Sequence, residues 1–234
     1  MEIKELTCLL AIMMENRIEV LGTKHGTDKI THHQYHLSYE IFLSPLYEKT
    51  GAILEIGVNE GASLNMWLDL FPNAFIYGMD IDKTYEGTRH KIFQGDQSRV
   101  DHLERLKLNI QNTPIWFIND DGSHVPEHQI LTFNVLFPTL EEGGVYIIED
   151  IETSYWSNGI LYGYNVRCGY KHPDSIVEIF KDVADAVNSE FAGRGRTTRV
   201  QHQDQIGSIT FAPNCIIIVK RTRENRPYRY AVNL

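Results

Sequence analysis

The chain has 234 residues, of which 42 % are hydrophobic and 23 % charged, so it can bury a core and is neither disordered nor fibrous. Thirty-one acids against 22 Lys plus Arg leave a formal charge of −9, which excludes a nucleic-acid binder that works through a basic surface. The longest strongly apolar runs, 8–14 and 216–219, are too short to cross a bilayer, and the acidic start Met-Glu-Ile-Lys-Glu-Leu is not a secretory signal.

Three widely spaced cysteines (Cys8, Cys168, Cys215) form no C-x-x-C and point to a reducing compartment, hence to a soluble cytoplasmic protein with no membrane insertion. In chain order, Ile3, Leu6, Leu10, Met13 and Met14 make an apolar helical stripe. It packs on the domain or forms a subunit interface, so a homo-oligomer is one expectation. Residues 1–50 read as an amino-terminal helical cap. His32, His33 and His36 lie in it at helical spacing, but no acid or cysteine completes a zinc set, and a cap over a ligand fits them better. Continuous apolar runs at 52–58, 75–81, 91–94, 115–119 and 145–148 predict buried parallel strands. Helices are predicted at 62–70, 100–109, 126–136 and 175–191, the last with Ile176, Ile179, Phe180, Val183 and Val187 on one face. Residues 151–172, rich in aromatics, read as a lid loop. Segments 207–211 and 215–220 read as an antiparallel hairpin, and the closing arginines Arg221, Arg223, Arg226 and Arg229 as a solvated tail. The whole is expected to be one doubly wound, mostly parallel α/β domain, with ligands beyond the carboxyl ends of the strands.

Five strand ends carry polar chemistry. After the first comes Glu55-Ile-Gly57-Val-Asn59-Glu60-Gly61-Ala-Ser63, where Gly57 and Gly61 permit a sharp turn and close approach to a ligand. The loop lacks G-x-G-x-x-G, and Glu60 disfavours a phosphate, which argues against a dehydrogenase. A cofactor with a cationic sulfonium and amino group suits Glu55 and its acidic neighbours better. Asp80, ending the second strand, is placed to accept ribose hydroxyls, and Asp96-Gln97, ending the third, to read an adenine amino edge. Asp120-Asp121-Gly122-Ser123-His124 and Glu149-Asp150 end two strands that should be neighbours about 5 Å apart. Their carboxylates would repel one another, and a divalent ion, Mg²⁺ with Mn²⁺ or Ca²⁺ as alternatives, would relieve that conflict. The opposing reading makes these acids helix caps and His124 the cap of the helix near Val125. Glu149 and Asp150 are also consecutive, so both reach one ion only if the strand bends there.

Glu-Ile-Gly-x-x-x-Gly, Asp-Gly-Ser-His and Ile-Glu-Asp-x-x-Thr-Ser-Tyr-Trp resemble the class I S-adenosylmethionine-dependent, Mg²⁺-dependent O-methyltransferases of deoxysugars, and the cephalosporin-hydroxylase-like group. Gly26-Thr27-Asp28-Lys29, His33-x-Tyr35 and Tyr39-Glu40 resemble them too, and the likeness covers about residues 22–156. It implies a Rossmann-like sheet of seven strands and S-adenosylmethionine bound by Glu55, Gly57, Gly61, Ser63, Asp80, Asp96, Gln97 and Asp120. It also implies a metal on Asp121, Glu149 and Asp150, His124 as catalytic base, and a sugar or glycoside acceptor. Tyr155 and Trp156 are candidates to line the acceptor site, as aromatic faces suit sugar rings. The alternatives are methyl transfer to a catechol or other small hydroxylated metabolite, and a catalytically silent interaction subunit.

Overall fold

The computed structural model describes residues 16–187 and 199–223. The stripe at residues 3–14, the last turn expected at 188–191, and Arg226 and Arg229 lie outside the described residues. Helices α1 (Arg17–His25), α2 (Asp28–Thr31) and α3 (His36–Leu43) precede strand β1 (Gly51–Ile56). Then follow α4 (Ala62–Leu70), β2 (Ala74–Asp80), β3 (Tyr85–Gly87), β4 (His90–Gln94), α5 (Val100–Ile110), β5 (Ile115–Asp120), α6 (Pro126–Leu136) and β6 (Leu140–Glu149). A short two-stranded ribbon, β7 (Gly159–Leu161) and β8 (Tyr164–Val166), comes before α7 (Ile176–Val187), β9 (Ile206–Ala212) and β10 (Cys215–Lys220).

The main sheet runs β3-β4-β2-β1-β5-β6-β10-β9. Strands β4, β2, β1, β5 and β6 are parallel, and β10 joins antiparallel to both β6 and β9. The doubly wound α/β sheet with a closing hairpin is the expected one, with eight strands where seven were expected. The extra strand is β3, three residues paired antiparallel with β4 at the sheet edge, too short to leave a periodic signal. The stretch expected as a lid loop contains the ribbon β7–β8 and a 3₁₀ turn, Ile151–Tyr155.

Each face of the sheet carries its own apolar layer, as continuous strand burial requires. On one face, α5, α6 and α7 contribute Leu103, Leu106, Phe133, Leu136 and Phe180. On the other, α4 supplies Trp67 and Leu70, and the amino-terminal helices add Ile18, Tyr39 and Leu43. The amino-terminal segment is thus part of the second helical layer. Strand order reverses between β1 and β5, and there a crevice opens at the carboxyl ends of the strands.

Phe133 is fully buried, stacked on Phe137 at 4.5 Å and edge-on to Tyr146 and Phe180 at 5.0 and 5.2 Å. Phe133→Ala should lower unfolding stability by about 3–5 kcal/mol in a denaturant titration.

Candidate active site

Gly57 follows β1 with φ +81°, and a Cβ there would collide with the Asp121 carbonyl at the end of β5. A glycine is therefore required for the two strand ends to approach. Gly61, at φ +82°, starts α4 as its N-cap. The turn between them is held from below by Asp80. Its Oδ2 accepts from Val58 N and Asn59 N at 2.9 Å each, and its Oδ1 from Asp82 N and Lys83 N at 2.9 and 3.0 Å. These backbone bonds outweigh burial and hold the carboxyl below its usual pKa.

A cavity of about 520 Å³ spans the crevice, a volume in the usual range for small-molecule sites. On one side it meets Gly57, Ser63, Asp80, Asp82, Asp96, Gln97 and Tyr164; on the other, Asp121, His124, Asp150 and Tyr162. Both halves of the expected site thus share one space. The pair after β4 is engaged: Gln97 donates to Asp120 at 2.5 Å and accepts from Ser123 N at 2.8 Å, while Asp96 Oδ1 accepts from Ser98 N at 2.8 Å.

Other expected residues sit behind the lining. Glu55 is fully buried beneath the loop, accepting from Ser63 Oγ at 3.0 Å and Trp67 Nε1 at 2.9 Å. It braces α4 against β1 and does not face the cavity. Asp120 is likewise fully buried, held by Gln97 and by Tyr146 OH at 3.2 Å, and burial pushes it up to about 7. Gly61 shapes the turn without lining the space. Tyr155 and Trp156 are also outside the lining, because the 3₁₀ turn after β6 carries them past it. The ribbon β7–β8 folds back instead, setting the Tyr162 ring 6.0 Å from His124 and Tyr164 edge-on to His128 at 4.7 Å.

At the acidic end, Asp150 is left-handed, at φ 52°, and bends the chain at the end of β6 as two consecutive acids require. Its Oδ1 accepts from Tyr35 OH at 2.6 Å and Asn214 Nδ2 at 2.9 Å, leaving Oδ2 3.6 Å from His124 Nε2. Asp121 Oδ1 lies 4.0 Å from the same nitrogen. Ligand atoms of Asp121, His124 and Asp150 all fall within 4.8 Å of one another, a spacing that a metal ion could bridge. Glu149 is not brought into this group. Its Oε1 accepts from Tyr39 OH at 2.7 Å and its Oε2 from Lys29 Nζ at 2.9 Å.

His124 does not cap the following helix. That helix starts at Pro126 after Val125, with no side-chain cap, and Val125 N approaches Ser123 Oγ at 3.4 Å. The imidazole is buried, with Nδ1 lacking a partner, and the backbone is left-handed at φ 57°. Burial lowers its pKa below the ordinary histidine value, against the pull of Asp150, Glu152 and Glu149.

Sequence reasoning named Lys29 only as the last residue of the motif at 26–29 and gave it no role. Its ammonium, 1 % exposed, donates to Asp121 and Glu149 and lies 3.8 Å from Glu55. Burial disfavours the charge, but Asp121, Glu149 and Glu55 outweigh it and hold the pKa well above the usual lysine value. One cation does not neutralise the acids: burial and the charge of Asp150 push Asp121 up to about 7, and burial and Asp121 push Glu149 up to about 8. The donor set consists of carboxylate oxygens with one imidazole, has more acids than the one lysine can pair, and fits a hard divalent cation. Lys29, Tyr35 and Tyr39 all lie in the amino-terminal segments that resembled the sugar methyltransferases. Among the described histidines there, His33 reaches Asp150 at 3.5 Å and stacks on Tyr35, and none joins a further metal cluster.

No protein-family model matches the chain. The 8-demethyl-8-alpha-L-rhamnosyl tetracenomycin-C 2'-O-methyltransferase of Streptomyces olivaceus is 33 % identical over 213 residues, covering 86 % of this chain and 54 % of the relative. The mycinamicin VI 2''-O-methyltransferase of Micromonospora griseorubida is 41 % identical over 113 residues, 44 % of this chain and 28 % of the relative. MycE methyltransferase from the mycinamycin pathway, solved with Mg, SAH and mycinamycin VI, superposes with a TM-score of 0.76 at 26 % identity, covering 87 % of this chain and 53 % of its own. The chain spans about half the length, or less, of these relatives. The resemblance to sugar O-methyltransferases carried by the motifs thus extends over most of the chain, in sequence and in fold.

Asp80→Ala should lower stability by about 1–3 kcal/mol with no ligand present, because it orphans buried N–H groups of the turn. Denaturant unfolding of the ligand-free protein checks this; an unchanged midpoint would leave Asp80 no structural role.

Proposed function

We propose that the chain transfers the methyl group of S-adenosylmethionine to a hydroxyl of a sugar or glycoside, with the help of a divalent cation. The observation that carries this reading is the single cavity that joins the Gly57–Ser63 turn to Asp121, His124 and Asp150. The similarity to methyltransferases of rhamnosyl and macrolide sugars favours a sugar over a catechol. The paired acids and poised imidazole favour an active enzyme over a silent subunit.

At the cofactor end, the turn's backbone and Ser63 face the adenosyl group, and Asp96 reads the adenine edge. The Asp80 carboxylate is committed to four backbone donors, so Asp82, two residues on and also lining the cavity, is the better ribose acceptor. At the acceptor end, Asp121 and Asp150 would hold the cation, while Glu149, engaged by Tyr39 and Lys29, stands beside them outside that group. When bound, the cation supplies positive charge that lowers the acceptor hydroxyl's pKa, and the sulfonium supplies the methyl group. His124 Nε2 takes the hydroxyl proton as the oxygen attacks, and it is uncharged for that task because burial depresses its pKa. Tyr162, at the tip of the ribbon beside His124, offers its ring face to the sugar in the role first given to Tyr155 and Trp156. The ribbon within 151–172 covers the acceptor as a lid.

A mass-spectrometric screen of rhamnosides and other deoxysugar glycosides with S-adenosylmethionine should give a product 14 mass units heavier (CH₂, replacing H by CH₃). EDTA should abolish turnover, and Mg²⁺ or Mn²⁺ should restore it. Full turnover in metal-free protein would contradict the cation's role. His124→Asn should lower turnover about 10²–10⁴-fold while calorimetry shows cofactor affinity unchanged. Near-native turnover would remove the base from His124.

A further inference from the structure

The amino-terminal helices place one lysine ammonium among acids from three adjacent strands. Lys29 Nζ donates to Asp121, just beyond β5, and to Glu149, the last residue of β6, and lies 3.8 Å from Glu55 in β1. Asp150 adds a fourth acid, faced by Tyr35 OH, Asn214, His33 and His124. Among the described residues, no Lys or Arg other than Lys29 forms an ion pair with this group. Four buried or half-buried carboxylates at these separations repel strongly in a medium of low dielectric, so without the lysine the strand ends would spread or take up protons.

We propose that Lys29 is a positioning residue for the metal site, whose ammonium ties Asp121 to Glu149 and so fixes the Asp121 carboxylate in place in the metal-free protein. This rests on the metal reading above and adds to it a residue that touches neither cofactor nor acceptor. Removing one partner of a buried ion pair leaves the other charges uncompensated, which is far costlier than removing both. The protein therefore folds without metal because Lys29 supplies part of the charge, and loss of that charge makes folding lean on the divalent ion.

The test is a double-mutant cycle on the full chain in chelator, with Lys29→Met, Glu149→Gln and the pair. Met keeps the stem length and apolar packing of lysine without its charge. Lys29→Met should lose roughly 5–15 °C of Tm in chelator, given the cost of an orphaned buried charge and the size of the chain. The double variant should be more stable than the sum of the single losses allows. Added Mn²⁺ should raise the Tm of Lys29→Met further than that of the native protein. If Lys29→Met folds only with Mn²⁺, or only in combination with Glu149→Gln, the proposal stands. A Lys29→Met variant as stable as native in chelator, additive losses in the cycle, or a double variant that fails to fold would overturn it. Calorimetry of Mn²⁺ on the native protein separates the two readings. Mn²⁺ binding together with additive losses removes only the role of Lys29, whereas absent Mn²⁺ binding removes the metal site and the proposal with it.

Discussion

The ammonium of Lys29 is the tie on which the arrangement of the site depends. It reaches 92 residues along the chain to Asp121 and 120 to Glu149, and so fastens the amino-terminal helices to the ends of β5 and β6. Tyr35 and Tyr39 work alongside it, donating to Asp150 and Glu149, and they stack on each other at 5.3 Å. A buried charge is costly unless it is paired and hydrogen-bonded, and here the pairing and the packing of Tyr39 and Leu43 into the second core layer come from the same helices. The described helices before β1 therefore shape the acidic cluster as much as the fold.

The site divides its labour along the crevice. Backbone geometry dominates at the Gly57 end: two left-handed glycines form the turn, and Asp80 holds it through Val58 N and Asn59 N while also fixing the chain after β2 through Asp82 N and Lys83 N. Charge dominates at the other end, where Asp150 and His124 both sit in left-handed conformations. For non-glycine residues such backbone costs free energy, about 1–3 kcal/mol each, and such strain clusters where side chains must be aimed. The bend at Asp150 turns its Oδ2 toward His124 while Tyr35 and Asn214 anchor Oδ1.

Much of this was legible in the sequence wherever local physics decides. Helices α4 and α6 begin and end where read, because Gly61 and Pro126 punctuate their starts. The central strands appear as continuous apolar runs because both faces of a parallel sheet are covered. Asp121, His124 and Asp150 converge as their strand-end positions foretold. What escaped notice depends on contacts that are distant in sequence or too short to be periodic. Lys29 belongs to the motif at 26–29, but its role was not readable there, since its hydrogen-bond partners lie 92 and 120 residues away. Strand β3 and the ribbon β7–β8 have three residues per strand, below the length at which alternation can be recognised. Glu55 and Asp80 were correctly placed at strand ends, but their side chains turn inward to brace the loop, a choice set by tertiary packing.

If the proposed function is right, one crevice holds the cofactor and a divalent ion side by side, with the ion on the β5 and β6 acids. Crystals grown with S-adenosylhomocysteine and Mn²⁺, measured at a wavelength where manganese scatters anomalously, decide this. The expected result is an anomalous peak bonded to Asp121 and Asp150, with the nucleoside lying between the Gly57 turn and Asp96. A nucleoside bound there with no peak at these carboxylates would contradict it.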